Sequence, residues 1–468
     1  MRNDTESPFS LTLTQSDLRL QVLRFSGREA LNQPYRFDLE LIGLAPPISP
    51  DALLGQPAFL YMDRTTGVHG IVYDVSLSAH APHRIGYRLT LVPFLQMLEQ
   101  GPKRRVFQRL SVVQILQCLL EDHALPTHSY RFELPHGQYP CRPFCIQYEE
   151  SDLELLQRLC EEEGIHYHFE HTPYGHVVVF AEDPKSFPTR PGELFLRADA
   201  NCQPPIERLY QHYQHSTPSL PPRFSDRATT RATANAANHA FNDADREPVR
   251  GNPALAHAHQ VGRRNLERLR CRQRQVCGQT TLPVLRSGQV MQIAGHPIST
   301  FNDQWLVTEV EHSGQQASIL EANPSLSPPV RDYRSRFSAI PWSTVFRPAL
   351  DHPKPCVPGY HIAYVLGPPN QPATPDERGR IQVSLWTPDQ EGVALPVSRR
   401  MSNGNSPLIA GSEVLVSFLD GDPDRPVLCP GAIDTGSGQV AAPRKPASGN
   451  RDARLLFDWL LNPPDTTA

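Results

Sequence analysis

The string His166-Tyr167-His168-Phe169-Glu170-His171 holds the first residues whose types and spacing could do chemistry. On a strand, alternate side chains share a face, so His166 and His168 could approach one metal ion as paired imidazoles do in zinc sites. A tetrahedral set also needs further ligands at suitable spacing, and the sequence offers no cysteine or carboxylate that completes it. Ile165, Tyr167 and Phe169 make the apolar face of the same strand. The three histidines are therefore read as the polar face of a half-buried strand, with no metal and no cofactor expected. Glu161, Glu162 and Glu163 close a helix and need no catalytic role, since a glycosidase requires two opposed carboxylates across a cleft. No H-E-x-x-H, G-x-S-x-G or G-x-x-x-x-G-K-[ST] string occurs, which removes the anchors of metalloprotease, serine hydrolase and P-loop chemistry. The arginines 263, 264, 268, 270, 272 and 274 could touch phosphates, but scattered around a helix they read as a solvated surface or as subunit ion pairs. With 45 basic and 49 acidic residues, net charge −4, the chain carries no global field that gathers nucleic acid. No enzymatic activity and no nucleic-acid partner are expected.

The elements that must position these residues change period along the chain. Tyr35, Phe37, Leu39 and Leu41 alternate with charged residues, as do Ile71, Tyr73, Val75, Leu77 and then Tyr87, Leu89, Leu91, which predicts strands buried on one face. Val112, Ile115, Leu116, Leu119 and Leu120 mark a helical stripe entered through a capping box of Ser111 and Gln114. A second capping box, Ser151 and Glu154, starts a helix that carries Leu155, Leu156, Leu159 and Cys160 inward and stops at Gly164. Strands resume at 165–169 and 177–180. Residues 216–250 lack period and core residues and read as an exposed loop, followed by a helix over 253–275 and strands at 279–285, 288–294 and 303–312. The proline-thick stretch 324–358 reads as a linker. Strands at 362–366, 380–386, 393–397, 413–419 and 426–428 have the number and spacing of a five-stranded OB-like barrel.

At 468 residues the chain exceeds one ordinary core, and its 48 prolines favour short strands and rigid turns over helical bundles. Its fold class is α+β, mostly β. We delimit an N-terminal α+β module over 1–345, a linker over 346–355, a barrel over 356–435 and a flexible tail over 436–468. Within the tail, residues 451–461 (RDARLLFDWLL) form an apolar helical segment carrying Leu456, Phe457, Trp459 and Leu460. That segment either folds back onto its own barrel or docks a partner, with Trp459 as the anchor. The nine cysteines, odd in number and scattered, fit reduced thiols of a protein made in the cytoplasm. The N-terminus lacks a signal peptide's apolar core, so export would follow a non-classical route.

Three blocks resemble the VgrG family, the spike hub of bacterial type VI secretion related to contractile phage tail hubs. They are FSGREALNQPYRFDLELIG from Phe25, YPCRPFCIQYEESDLELLQRLCEEEGIHYHFEH from Tyr139, and EVLVSFLDGDPDRPVL from Glu413. The residues that carry the signature are Gly27, Arg28 and Glu29; Glu150, Ser151 and Asp152; and Gly421, Asp422, Pro423, Asp424, Arg425 and Pro426. The resemblance implies a homotrimer in which each chain presents two barrel-like lobes. The six lobes would match a hexameric, Hcp-like tube protein, with the OB-like barrel on the axis below. It also implies a PAAR-like tip protein, adaptor or effector as partner, cytoplasmic assembly, and passage through a membrane only on injection. The hub of a phage tail or of an extracellular contractile particle, and a hub with an attached hydrolytic activity, are the alternatives. The sequence given ends 42 residues after GDPDRP, where relatives continue into a β-helix needle, so a short form without the needle is expected.

Overall fold

The computed structural model describes residues 9–16, 18–44, 46–63, 66–81, 84–195, 206–214, 253–316, 332–386, 392–397 and 408–429. The chain divides into two compact units. The first comprises 1–359 with 418–426, and the second 360–417 with 427–468.

The first unit opens with β1 (Ser10–Leu13), β2 (Arg19–Ala30), β3 (Gln33–Leu44), β4 (Pro57–Tyr61), β5 (Gly67–Ala81) and β6 (Arg84–Val92). Their order is β1-β4-β5-β6-β3-β2, and β2 pairs back onto β1, so the six strands close into a barrel. Tyr35, Phe37, Leu39 and Leu41 of β3 all point into its core, as the period of two requires. The alternation expected along β5 fails after Ile71. A bulge between Val72 and Asp74 re-aims the strand, leaving Tyr73 46 % and Leu77 43 % exposed.

Next come β7 (Lys103–Leu110), α1 (Val112–Asp122), β8 (Tyr130–Glu133), β9 (Arg142–Glu150), α2 (Asp152–Glu163), β10 (His166–Thr172) and β11 (Gly175–Ala181). Both helices start at their predicted capping boxes, Ser111 with Gln114 and Ser151 with Glu154, and Gly164 ends α2 at φ 69°. The apolar stripes of α1 and α2 pack into the barrel's own core cluster. Each fully buried leucine there contributes about 1.5–3 kcal/mol.

The second lobe is built from β12 (Thr189–Phe195), β13 (Ile206–Tyr213), α3 (Pro253–Cys271), β14 (Arg274–Thr280), β15 (Val290–Ala294), β16 (Gln304–Gln315) and β17 (Asp332–Pro341). Helix α3 ends four residues earlier than its sequence suggests, and β14 begins at Arg274. The stretch read as a linker contains β17, a central strand paired with both β16 and β14. Its prolines flank the strand, while Tyr333, Ser335, Phe337 and Ala339 alternate inward between exposed Arg334 and Arg336. The first unit also continues past 345, through Arg347 and Val357, both buried.

The second unit holds β18 (Tyr360–Val365), β19 (Arg380–Leu385), β20 (Val393–Pro396), β21 (Glu413–Phe418) and β22 (Pro426–Cys429) in the order β20-β19-β18-β21-β22. A bridge from Val397 to Leu428 joins the two edge strands and closes a five-stranded barrel. The loop 216–250 and the tail 436–468, with Leu456, Phe457, Trp459 and Leu460, lie outside the described residues. Among the described residues no helix is long and apolar enough to cross a membrane.

Candidate functional site: the lobe junction and the ionic knot around α2

The first signature block sits where the two lobes join. The C-terminal half of β2 runs antiparallel to β16, from Arg24 opposite Gln315 to Ala30 opposite Glu309, making one continuous sheet. Gly27 is required here, because any Cβ would overlap the Phe37 ring. Arg28 Nε donates to Glu309 Oε1 at 2.5 Å across the seam. Glu29 points inward, 4 % exposed. His312 Nε2 donates to its Oε1 at 2.6 Å, and Tyr333 OH donates to His312 Nδ1 at 2.7 Å. Burial lowers the His312 pKa despite the Glu29 carboxylate, which fits this neutral tautomer. The outer face of the seam is a charge-laced groove of about 660 Å³ that includes Arg28, Arg36, Asp38, Glu311, Arg334 and Arg336.

The second block builds a buried ionic knot. Glu150 accepts from Arg158 Nε at 2.9 Å and Nη2 at 2.5 Å. Arg158 also reaches Glu162 at 3.0 Å, and Arg142 bridges Glu162 and Glu163, each at 2.8 Å. Burial would raise the Glu162 carboxyl, but Arg142, Arg158 and Lys354 outweigh it and hold it at about 2. Burial likewise works against Asp152, yet hydrogen bonds from Lys103, Gln147 and His123 bring it to about 2. Glu161 pairs with His352 Nδ1 at 2.7 Å.

Two arginines of α3 depart from the solvated surface or subunit ion pairs expected from sequence. Arg264 and Arg268, one helical turn apart, are 2 % and 8 % exposed, whereas Arg263, Arg270 and Arg272 do face solvent. Arg264 donates to Glu163 O and Glu182, and Arg268 Nη2 to Glu161 O at 2.6 Å. Arg347 Nη1 donates to Gly164 O at 3.0 Å. Three guanidinium groups thus satisfy the last carbonyls of α2 and oppose the negative end of its dipole. Glu161, Glu162 and Glu163 are accordingly structural anchors, and Arg347, His352 and Lys354 were missed because their stretch read as linker.

The GDPDRP turn of the third block belongs to the first unit. Asp424 Oδ1 accepts the Ile146 N–H at 3.2 Å, and Lys354 Nζ bridges Asp422 at 2.7 Å and Asp424 at 2.6 Å. Asp422 Oδ1 also accepts the Asp424 N–H at 3.0 Å. Gly421, at φ 71°, gives its carbonyl to the Val357 N–H at 2.8 Å, and a Cβ there would overlap Cys356 Sγ. Pro423 and Pro426 are buried, while Arg425 is exposed against Asp420.

The histidine string departs from its sequence reading. His166 and His168 are fully buried, His166 stacks on Phe187 at 4.3 Å, and neither ring nitrogen of His168 has a hydrogen-bond partner among the described residues. The second face of β10 is core because Phe187 and the backbone at Gly288 cover it. Among the described residues no three His, Cys, Asp or Glu side chains group in a way that could hold a metal.

The family model of the phage tail baseplate hub (GPD) matches residues 28–318, well over half of the chain. The chain belongs to that hub family. Among curated relatives of this hub, the Pseudomonas aeruginosa type VI secretion system spike protein VgrG4b is 38 % identical over 90 % of this chain and 56 % of its own length. The P. aeruginosa spike protein VgrG5 is 37 % identical over 90 % and 57 %. The hub chain therefore spans little more than half the length of these relatives. A solved E. coli component of the type VI secretion system, described as structurally similar to T4 phage tail proteins, is 25 % identical. It covers 89 % of this chain and 98 % of its own at a TM-score of 0.67. The actin cross-linking toxin VgrG1 of Vibrio cholerae is 28 % identical, and the match spans only 40 % of it.

Proposed function

We propose that this hub trimerises as the spike base of a type VI secretion machine, seats on a hexameric, Hcp-like tube, and carries a tip or cargo outward on contraction. The observation that carries the reading is the pair of six-stranded lobes in each chain, since three chains then offer six similar lobes to a sixfold tube. Its chemistry supports assembly rather than catalysis. Asp152 and Glu162, both held at about 2, are paired in closed networks instead of facing a cleft. The residues 436–468 form the tail, and Leu456, Phe457, Trp459 and Leu460 dock a PAAR-like tip protein, adaptor or effector, with assembly in the cytoplasm before export. Light scattering of the pure chain tests the hub reading: three subunits are expected, and a monomer at micromolar concentration with or without tube protein overturns it. Changing Leu456 and Trp459 to aspartate tests the tail, with the trimer kept and the partner lost from co-purification. Retention of every partner would remove the tail from the interface.

A further inference from the structure

One row of side chains crosses six neighbouring strands of the first unit. Register sets Arg36 of β3 opposite Arg28 of β2, and Arg28 opposite Glu311 of β16. It continues with Glu311 opposite Arg336 of β17, Arg336 opposite Gln279 of β14, and Gln279 opposite Arg208 of β13. Residues directly opposite one another share a face, so all six side chains leave the same side of the sheet. That side is the outer one, because Glu29, His312, Ser335 and Phe337, their neighbours along the strands, point into the core. At roughly 4.8 Å between strands the row is about 24 Å long.

Four members of the row are arginines and one is a glutamate. Like charges set directly opposite each other are unfavourable, so this concentration needs an outlet. Arg28 and Arg36 turn aside to carboxylates of the flanking rows, Glu309 and Asp38. Arg336 and Arg208 are exposed and form no ion pair among the described residues. The row borders two adjoining hollows of about 660 and 390 Å³, which share Gln279, Glu311 and Arg336. The next row along adds hydroxyl groups, with Ser26 opposite Ser313.

We propose that this row docks an extended acidic segment of a separate partner protein. Its carboxylates lie against Arg36, Arg28, Arg336 and Arg208, while a hydrogen-bond donor between them meets Glu311. The length suits about seven extended residues. Guanidinium groups take carboxylates through paired hydrogen bonds, and complementary charge fixes register and partner choice. Glu311 within the row, with Asp38 and Glu309 beside it, repels a uniform polyanion. A polypeptide that intersperses carboxylates with donors is therefore favoured over nucleic acid. This face is separate from Leu456, Phe457, Trp459 and Leu460 of the tail, and binding to it asks nothing of the subunit number.

The test uses the full chain and a fluorescein-labelled peptide of alternating glutamate and serine, about nine residues long to span the row. Fluorescence anisotropy at low ionic strength reads its binding. Arg336→Gln with Arg208→Gln is compared with Arg270→Gln plus Arg272→Gln, which removes the same charge from the exposed end of α3. The wild type and the α3 control should bind the peptide alike, and the row variant about five- to tenfold more weakly. Glu311→Gln should strengthen binding of an oligonucleotide of equal charge more than binding of the peptide. No saturable binding to the wild type, or an equal loss in the α3 control, overturns the proposal. So does an oligonucleotide that binds the wild type as tightly as the peptide and loses as much in the row variant, or an equal gain for both ligands in Glu311→Gln.

Discussion

The Nδ1 atoms of His69 on β5 and His176 on β11 lie 3.0 Å apart inside the first lobe, and the hydrogen bonds around them fix both protons. Phe94 N–H donates to His176 Nε2 at 3.0 Å, so His176 carries its proton on Nδ1 and donates it to His69. Neither ring can gain a second proton without facing a donor or losing this bond. Burial pushes His69 down to about 4, and burial together with the His69 neighbour pushes His176 down to about 3.

Acid destabilisation follows from that pair. The folded rings stay neutral while the unfolded ones protonate below pH 6.5, so this stability is full above 6.5 and is lost as pH falls toward 4 and 3. Each histidine loses roughly 2 kcal/mol between pH 7 and 5. Urea midpoints at the two pH values measure the loss. His176→Gln, whose side-chain carbonyl can still accept from Phe94, should flatten the slope. Equal wild-type midpoints at pH 7 and 5 would dismiss the linkage. Asp152 and Glu162, lowered to about 2 from 3.8 and 4.5, contribute little between pH 7 and 5 and lose their stabilisation only below that window.

Gly27→Ala should cost about 1–3 kcal/mol by overpacking, because the new methyl overlaps the Phe37 ring beneath the lobe junction. Phe37→Leu opens that space. The double variant is therefore expected to lose less than the sum of the two singles, a coupling read from thermal or urea unfolding. Strict additivity would place the role of Gly27 elsewhere.

Arg158 and Glu150 form a buried pair within the α2 knot. Arg158→Met strips Glu150 of its guanidinium, leaves Glu162 with only the Arg142 guanidinium, and should cost about 3–5 kcal/mol. Glu150→Gln combined with Arg158→Met removes one of the stranded charges and should recover part of that loss. Unfolding midpoints of the three variants decide the matter, and a double variant weaker than Arg158→Met alone would contradict it.

Much of this architecture was legible before any coordinates. The capping boxes at Ser111 and Ser151, the stop at Gly164 and the five barrel strands all rest on short-range signals, which tertiary packing left intact. Long-range burial was not legible. His166 and His168 alternate with an apolar face, and nothing local reveals that Phe187 and Gly288 cover the other side. Arg264 and Arg268 look like any solvated pair until the carbonyl end of α2 is placed beside them. β17 was hidden by the prolines around it, although Tyr333, Phe337 and Ala339 kept the period of two. The lobe repeat came only from the family resemblance, because only scattered positions preserve it, such as the Gly-Gln pairs at 55–56 and 288–289. Hydrogen-bond register exposes it at once.

The GDPDRP loop supplies the last expectation, because its carboxylates reach beyond the turn they shape. Asp424 holds the Ile146 N–H on β9 with one oxygen and Lys354 with the other. Asp424→Ala would leave that N–H without its acceptor and strip Lys354 of one of its two carboxylates, costing about 1–3 kcal/mol. Asp424→Asn keeps a side-chain carbonyl for Ile146 and forfeits only the charge, so it should cost less. The distinction matters, since a loop that merely turned between β21 and β22 would tolerate both changes equally. Gly421→Ala separates turn from contact in the opposite direction. It strains the backbone at φ 71° and meets Cys356, and Cys356→Ala should relieve only the second part. Hydrogen exchange at the Ile146 amide is the direct readout: faster in Asp424→Ala, near wild type in Asp424→Asn. Unchanged protection in Asp424→Ala would show that Ile146 has another acceptor and that the loop is held by Lys354 and Gly421 alone.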